Sequence, residues 1–190
     1  MQQQIALPGF DESPAVFSLF FALFPDPVSA NQIAVRAAGW QKAHALGGSL
    51  MQPSRLHVSL HGLGEYSEMP HNTVDRAKAA AQAVTLPAFD LVLDQVLTFA
   101  HQTLVLQASD GAPGVIAFER NLTVAMAKQG LRSQGVSAPH MTLAHRCQSL
   151  AQQAIEPVRW RVAEFALIYS HVGKTVHECL GRWPLGAAKA

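Results

Sequence analysis

Histidine and serine alternate with apolar residues in one short stretch, RLHVSLHGLG, which runs from Arg55 to Gly64. His57, Ser59 and His61 stand at every second position of it. Because successive side chains of a β-strand point to opposite faces, this spacing predicts a strand with one polar and one apolar face. An imidazole can transfer a proton, and a hydroxyl on the same face can donate a hydrogen bond to a bound oxygen.

The same pattern occurs again in PHMTLAHR, which runs from Pro139 to Arg146. Both stretches read histidine, apolar residue, hydroxyl residue, leucine, with His57 in the first and His140 in the second. A single tetrad of this kind arises easily by chance. Two copies, each in a predicted strand and at equivalent places of two half-chains, indicate one shared site.

Two imidazoles on facing strands can do together what one cannot. A neutral imidazole removes a proton from an attacking water or hydroxyl, and a protonated one supplies a proton to the leaving oxygen. The hydroxyls of Ser59 and Thr142 can donate hydrogen bonds to oxygens held between the strands. The polar faces of the two motifs therefore predict the two sides of a catalytic cleft for an anionic phosphodiester.

The composition indicates a folded domain with a large interior. The chain has 190 residues, of which 49% are hydrophobic and 14% charged, so we exclude a disordered protein. Its 14 basic and 13 acidic residues give a net charge of +1. This balance argues against a broad surface for duplex nucleic acid, whereas a short RNA end or a nucleotide needs only a few local cations.

No segment has the properties of a membrane span or signal peptide. The longest apolar run, Ala15 to Phe24, is too short to cross a bilayer, and no positively charged segment precedes it. The two cysteines, Cys147 and Cys179, lie outside any CxxC or other metal-ligand pattern and are expected to be free thiols. We therefore expect a cytoplasmic protein, with no membrane partner and no bound metal.

Helices and strands are expected to alternate twice, in similar order. The predicted helices span Val28 to Leu46, capped by Ser29 or Asn31, then Asn72 to Val84 and Gly111 to Gly130. The predicted strands span Ala15 to Phe24, the His57 motif, Phe89 to Phe99, Gln102 to Ala108, His140 to Arg146, Arg159 to Ser170 and Thr175 to Trp183. This order predicts an α+β domain over residues 1–190, made of two pseudo-equivalent halves without a linker.

The chain resembles the 2H phosphoesterase superfamily. More closely, it resembles the LigT-like group of bacterial RNA 2′,3′-cyclic phosphodiesterases, which are also called 2′-5′ RNA ligases. The two His-x-Ser/Thr-Leu tetrads resemble that superfamily's signature. The opening strand and turn are similar in FSLFFALFPDP, the first motif in LHVSLHGLGE, and the closing hairpin in WRVAEFALIYSHVGKTVHECLGRWPL. The resemblance covers roughly Val16 to Leu185.

The resemblance implies a bilobal α+β fold, in which two pseudo-symmetric β-sheet lobes with outer helices enclose a central cleft. It also implies an enzyme that opens 2′,3′-cyclic phosphate ends of RNA or nucleotides to a 2′-phosphate, without a metal or other cofactor. On this basis His57 and His140 are the catalytic pair, and Ser59 and Thr142 bind the phosphate. We favour His140 as the base and His57 as the acid, an order that the sequence does not fix.

Two positions depart from the pattern of the family. Many relatives carry an arginine or another phosphate-facing group just after the second motif, where this chain reads Ala-His-Arg. Strand alternation places Arg146 on the face of the second histidine, so Arg146 is the predicted third phosphate-binding residue; a bulge would turn His145 there instead. Alternation also places His61 on the cleft side, where we favour a rim position without a chemical role.

Other interpretations of these residues remain. The protein could act as a 2′-5′ RNA ligase, or bind nucleotides or RNA without turnover, although a pure binder needs no pair of histidines with opposed protonation states. A zinc site through His57 and His61 would require a helix, which the alternating context disfavours. No stable protein partner is implied, so a monomer is expected. Four aromatic side chains are interpreted as core residues, although one of them near the cleft could stack on a base (Phe20, Phe21, Phe24, Trp160). The other histidines are interpreted as surface or loop residues for which no role is claimed (His44, His71, His101, His171, His177).

Overall fold

A computed structural model of the chain describes residues 16–100, 102–132, 138–174 and 176–186. The helices are α1 (Pro27–Ala43), α2 (His71–Gln82) and α3 (Pro113–Lys128), with a short 3-10 turn at Pro53–Arg55. The strands are β1 (Phe17–Leu23), β2 (Ser49–Leu50), β3 (Val58–Tyr66), β4 (Phe89–Phe99), β5 (Thr103–Gln107), β6 (His140–His145), β7 (Gln153–Val162), β8 (Glu164–His171) and β9 (Val176–Pro184). The predicted α+β class is confirmed; Ala15, His101 and Thr175 lie outside the described residues.

The strands form one antiparallel sheet that consists of two halves. Its order is β7-β4-β5-β6-β3-β1-β8-β9, with β2 paired to β6. Strands β3 and β6, which carry the two predicted motifs, lie side by side at the middle of this order. Between the described residues, a single register pair joins them, Val58 with Met141. The two halves of the sheet therefore meet along the two motif strands.

Burial of one face of the motif strands fixes the direction of their other side chains. Val58 and Met141 are fully buried, in a core that also contains Ile33 of α1, Ala77 of α2 and Phe118 of α3. Because side chains alternate along a strand, the residues on either side of Val58 and Met141 point to the opposite face. The helices therefore cover the apolar face, and the motif histidines are directed away from them.

Helix α1 begins one residue earlier than predicted, because a different residue caps it. The carboxylate Oδ1 of Asp26 accepts hydrogen bonds from the backbone N–H groups of Val28 and Ser29, at 2.9 and 3.0 Å. Pro27 occupies the first turn, where its missing N–H costs nothing. The predicted caps, Ser29 and Asn31, are wrong, and both lie inside the helix.

The predicted strand from Arg159 to Ser170 is two strands. The chain leaves β7, which pairs with β4, and enters β8, which pairs with β1 in the other half of the sheet. Ala163 separates them and its carbonyl accepts a hydrogen bond from the Leu185 N–H at 2.7 Å. Apolar residues occur on both sides of Ala163 without an intervening glycine or proline, so no turn signal marks this break in the sequence.

None of the helices in the described part of the chain is both long and apolar enough to cross a membrane. Cys147 is buried, Cys179 is exposed, and both are free thiols, as expected from the sequence.

Candidate active site

The two predicted motifs meet at the junction of the sheet halves. At this junction Val58, which follows His57, pairs with Met141, which follows His140. In an antiparallel pair the residue before one partner lies opposite the residue after the other. His57 therefore lies opposite Thr142, and Ser59 lies opposite His140. All four side chains are half-buried. The structure therefore brings the four motif residues together on one face of the sheet.

Both histidine rings are oriented by the same backbone contact. Nδ1 of His57 lies 2.6 Å from the carbonyl oxygen of Arg55, and Nδ1 of His140 lies 2.9 Å from the carbonyl oxygen of Ala138. A carbonyl only accepts hydrogen bonds, so each Nδ1 carries the proton and donates it. In the neutral ring the lone pair is then on Nε2. Each histidine can thus accept a proton at Nε2, or give one from Nε2 when it is protonated.

Aromatic rings pack on both histidines. Phe20 and Phe24 lie beside the His57 ring, with centroid distances of 5.3 and 5.5 Å, and Phe99 contacts the His140 ring edge-on at 4.9 Å. Phe20 and Phe24 were predicted as core residues. They are only partly buried, and they pack with a small cluster that is separate from the main core. Their spacing along β1, with Ala22 between them, is the signal that places them on the face of His57.

A family model of the 2′-5′ RNA ligase superfamily matches residues 25–174, a range that contains both motifs. The chain belongs to this superfamily. The resemblance to LigT-like 2H phosphoesterases is confirmed by this match and by similar solved structures. No curated protein sequence matches the chain significantly.

Several solved structures share the fold of this superfamily member at low sequence identity. E. coli LigT is 23% identical, with a TM-score of 0.67 over 90% of this chain and 99% of LigT. A phosphoesterase is 23% identical, with a TM-score of 0.68 over 89% of this chain and 98% of its own. A Thermus thermophilus protein is 19% identical, with a TM-score of 0.71 over 90% and 100% of the two chains. The predicted bilobal LigT-like fold is confirmed.

Each motif strand of this 2′-5′ RNA ligase superfamily member carries a β-bulge directly after its hydroxyl residue. The pairing of β3 with β1 shifts between Ser59 and Gly62, and the pairing of β6 with β5 shifts between Thr142 and Ala144. At a bulge, two residues of one strand lie opposite a single residue of the partner strand. Beyond the bulge, each side chain therefore points to the face opposite to the one that simple alternation predicts. The simple alternation used for the sequence prediction therefore holds up to the hydroxyl residue and fails after it.

The bulge in β3 turns His61 away from the cleft. His61 is 2% exposed, and its Nε2 lies 3.1 Å from the carbonyl oxygen of Glu119 and 3.2 Å from the hydroxyl of Thr123, both in α3. Burial lowers the pKa of His61, so the neutral ring is the form that packs there. The predicted cleft-side or rim position of His61 is wrong. Its position on the helix side also separates it from His57, so the two are not a ligand pair.

The bulge in β6 changes which residue follows the second motif on the cleft face. His145 pairs with Thr103, and Thr142 pairs with Val105, so His145 and Thr142 share a face. Strand β6 ends at His145, and Arg146 is exposed with a left-handed φ of 60°. Because the strand ends before Arg146, strand alternation does not determine where its side chain points. A phosphate-binding role for Arg146 stays a prediction without that geometric support.

Sequence reasoning missed a cation and a histidine beside His57. Arg55, the last residue of the 3-10 turn, is half-buried, and its Nη2 lies 3.2 Å from Nε2 of His177 on β9. The His177 ring in turn contacts the ring of His57 edge-on, at a centroid distance of 5.5 Å. His177 was interpreted as a surface or loop residue, whereas it is half-buried and contacts both side chains. Residues 55 and 177 lie far apart along the chain, and only the sheet order brings them together.

Burial and neighbouring positive charge keep His57 neutral. Burial lowers the pKa of His57, and the charges of Arg55 and His140 lower it further, against the opposing effect of the hydrogen bond to the Arg55 carbonyl. Burial, together with His57 and Arg55, lowers the pKa of His177 to about 4. Both rings are therefore uncharged near neutral pH.

The hydroxyls of Ser59 and Thr142 are available to a ligand, since no hydrogen bond joins either one to another described residue. Among the described residues, no group of three or more His, Cys, Asp or Glu side chains is placed to hold a metal ion.

A cavity of about 650 Å³ opens beside Phe24. It lies between the start of α1 and the strands β7 to β9, and its lining includes Asn31, Ser54, Arg161 and Arg182. The guanidinium of Arg182 stacks on the Phe24 ring at 5.7 Å. Phe24 therefore contacts His57 and also lines this cavity, which has the size of a small-molecule binding site.

Proposed function

We propose that this protein is a metal-independent phosphodiesterase that opens 2′,3′-cyclic phosphate ends of RNA or nucleotides to a 2′-phosphate. The observation that carries the proposal is the arrangement of His57 and His140. They lie on one face of the sheet junction, and each has its Nδ1 bound to a backbone carbonyl and its Nε2 available. Solved LigT structures with 3′-AMP, phosphate and ATP are consistent with a nucleotide-binding cleft in this fold.

The reaction needs one proton acceptor and one proton donor. The acceptor takes a proton from water as the water oxygen bonds to phosphorus. The bond between phosphorus and the ribose 3′-oxygen breaks, and the donor gives its proton to that oxygen. The product keeps the phosphate on the 2′-oxygen. Ser59 and Thr142 donate hydrogen bonds to the non-bridging oxygens, where negative charge increases in the transition state.

We assign the base to His57 and the acid to His140, the reverse of the order favoured from the sequence. A general base must be neutral before it acts. Burial and the charges around it hold the pKa of His57 below the ordinary value of 6.5, so the neutral form predominates. The phosphodiester then lies between a neutral ring that accepts a proton and the ring of His140 that donates one.

The size of the cavity beside Phe24 supports a nucleotide substrate. Its volume of about 650 Å³ falls within the range of roughly 300–1,000 Å³ of small-molecule sites. Phe24 connects it to His57, so a nucleoside bound there would have its phosphate near the motif residues. Stacking of a base on an aromatic ring is insensitive to sequence, which fits an enzyme that acts on RNA ends of varied sequence.

Incubation with 2′,3′-cyclic nucleotides and short cyclic-ended RNAs tests the proposal. We expect hydrolysis to continue at an unchanged rate in EDTA, since proton transfer by two imidazoles needs no metal. Product analysis by chromatography should show a 2′-phosphate. Loss of activity in EDTA that zinc or manganese restores would contradict the metal-independent mechanism. Binding of these ligands without turnover would identify a nucleotide-binding protein, and joining of RNA ends in preference to hydrolysis would identify a ligase.

The pH dependence of kcat/KM tests the assignment of the base. Since the pKa of His57 is lowered, kcat/KM should rise with pH through a value below 6.5, reach a maximum, and fall as the acid loses its proton. The limbs belong to the coupled pair, because each histidine affects the other. Steady-state rates between pH 4 and 9 would show this bell. An acid limb above pH 6.5 would contradict the assignment of His57 as the base.

A further inference from the structure

The cleft contains a cation that the proposed proton transfers do not use. Arg55 is half-buried, and in the described part of the chain no carboxylate forms an ion pair with it. Its Nε is buried and has no hydrogen-bond partner there. Desolvation without an opposite charge is unfavourable for a guanidinium. Such a group is stabilised when an anion binds beside it.

His177 holds this guanidinium in place. Its Nε2 lies 3.2 Å from Nη2 of Arg55, which only donates, so Nε2 accepts and His177 is neutral with its proton on Nδ1. That Nδ1 is also buried without a partner among the described residues. The lowered pKa of His177, about 4, agrees with a neutral ring. Two buried N–H donors, Arg55 Nε and His177 Nδ1, thus lack an acceptor among the described residues.

Both residues lie directly beside the proposed base. The carbonyl of Arg55 orients the His57 ring, and the rings of His57 and His177 are 5.5 Å apart. The positive charge of Arg55 also lowers the pKa of His57. An anion that reaches Nε2 of His57 therefore enters the field of the Arg55 guanidinium. Arg146, by comparison, is exposed beyond the end of β6.

We propose that Arg55 is the phosphate-binding cation of this cleft and that His177 is a positioning residue which holds its guanidinium. The inference rests on the proposed function, because it names the group that binds the non-bridging oxygens of the same phosphodiester. It replaces the role predicted for Arg146. A guanidinium presents several donors in a fixed plane, which suits two oxygens of one phosphate.

Binding of inorganic phosphate tests this inference without requiring turnover. Arg55→Met should weaken phosphate binding about 10- to 100-fold in calorimetric titration, the range for hydrogen bonds to a charged group. Arg55→Lys should recover part of the loss, since it keeps the charge and loses the planar fork. The matched control, Arg120→Met at an exposed position of α3, should bind phosphate as the wild type does, and Arg146→Met tests the cation predicted from the sequence. Near-wild-type binding by Arg55→Met, or a larger loss in Arg146→Met, would overturn the inference.

The role of His177 is tested by comparing two substitutions. His177→Gln keeps a hydrogen-bond acceptor for Arg55, whereas His177→Leu removes it, so phosphate binding should be weaker in His177→Leu than in His177→Gln. In the Arg55→Met background His177→Leu should have little further effect, because it acts through Arg55. Equal effects of the two substitutions, or additivity with Arg55→Met, would overturn the positioning role. Thermal unfolding must show that every variant is folded.

Activity measurements separate this inference from the proposed function. With a 2′,3′-cyclic nucleotide, Arg55→Met should raise KM and shift the acid limb of kcat/KM to higher pH, because the positive charge of Arg55 would no longer lower the pKa of His57. If the wild type opens cyclic phosphates but Arg55→Met leaves KM and that limb unchanged, the inference fails and the function stands. If the wild type opens no cyclic phosphate, the proposed phosphodiesterase function is wrong. The phosphate titration then tests the role of Arg55 by itself.

Discussion

We expect His57→Ala and His140→Ala each to lower turnover of a 2′,3′-cyclic phosphate about 10²- to 10⁴-fold, the usual contribution of a positioned acid or base. Each substitution removes the Nε2 that accepts or gives the proton. Asparagine variants sharpen the test, because an asparagine amide can still donate to the Arg55 or Ala138 carbonyl but cannot titrate. His57→Asn and His140→Asn should therefore fold normally and be as inactive as the alanine variants.

The exposed His71 at the start of α2 offers a matched control, and His71→Ala should retain full activity. The variant that lacks both cleft histidines should be little worse than either single variant, since the two act as a unit in one transition state. Rates are compared at the pH optimum of the wild type, with folding checked by circular dichroism. Near-wild-type turnover of every cyclic phosphate by either single variant would contradict the two-histidine mechanism.

A change of leaving group distinguishes the acid from the base. In a 4-nitrophenyl phosphodiester the phenolate leaves without a proton, so the acid is dispensable while the base is still needed. His140→Asn should therefore regain most of its activity on this substrate, and His57→Asn should not. The opposite result would restore the order favoured from the sequence, with His140 as the base. Recovery of neither variant would show that both histidines contribute to phosphate binding as well as to proton transfer.

The sequence predicted the motif residues because the information they carry is local and repeated. His57 and Ser59 share a strand face by simple alternation, as do His140 and Thr142, and a buried residue between them fixes which face. The repeat at equivalent places of two halves indicated that the faces converge. The structure shows why, since the one register pair that joins β3 and β6 among the described residues is Val58 with Met141.

What the sequence did not predict depends on local irregularity or on distant parts of the chain. The bulges after Ser59 and Thr142 redirect His61 and His145. Gly62 stands at the first bulge and is a signal that the sequence prediction did not use, whereas no glycine or proline marks the second. The contact between Arg55 and His177 depends on the order of strands in the sheet, because β9 reaches the first motif only through β1 and β8. No spacing within one segment contains that information.

The placement of the aromatic side chains of β1 also depends on distant parts of the chain. Phe21 was predicted as core and is fully buried, whereas Phe20 and Phe24 flank His57 on the other face of β1. Hydrophobicity indicates that a residue leaves water, but not which side of a central strand it covers. Spacing groups Phe20 with Phe24, but the partner strands decide what that face contacts, and here it lies beside His57.

The hydroxyls of Ser59 and Thr142 provide the second large effect. Ser59→Ala and Thr142→Ala should each lower kcat about 10- to 1,000-fold, because each removes a donor to an oxygen whose negative charge increases in the transition state. Each hydroxyl lies across the junction from the other motif's histidine, so one phosphate held between the histidines would reach both. Their loss should affect kcat more than KM, since the hydrogen bonds strengthen as the charge develops.

Conservative exchanges provide the control for this prediction. Ser59→Thr and Thr142→Ser keep the hydroxyl and should retain most of the activity, while Ser67→Ala, at an exposed position after β3, should be neutral. Neither alanine variant should unfold at a markedly lower temperature, because no other described residue depends on these hydroxyls for a hydrogen bond. If both alanine variants turned over cyclic phosphates at the wild-type rate, the hydroxyls would not contact the phosphate. A loss shared by the conservative variants would instead show that the side-chain volume, and not the hydroxyl, determines the rate.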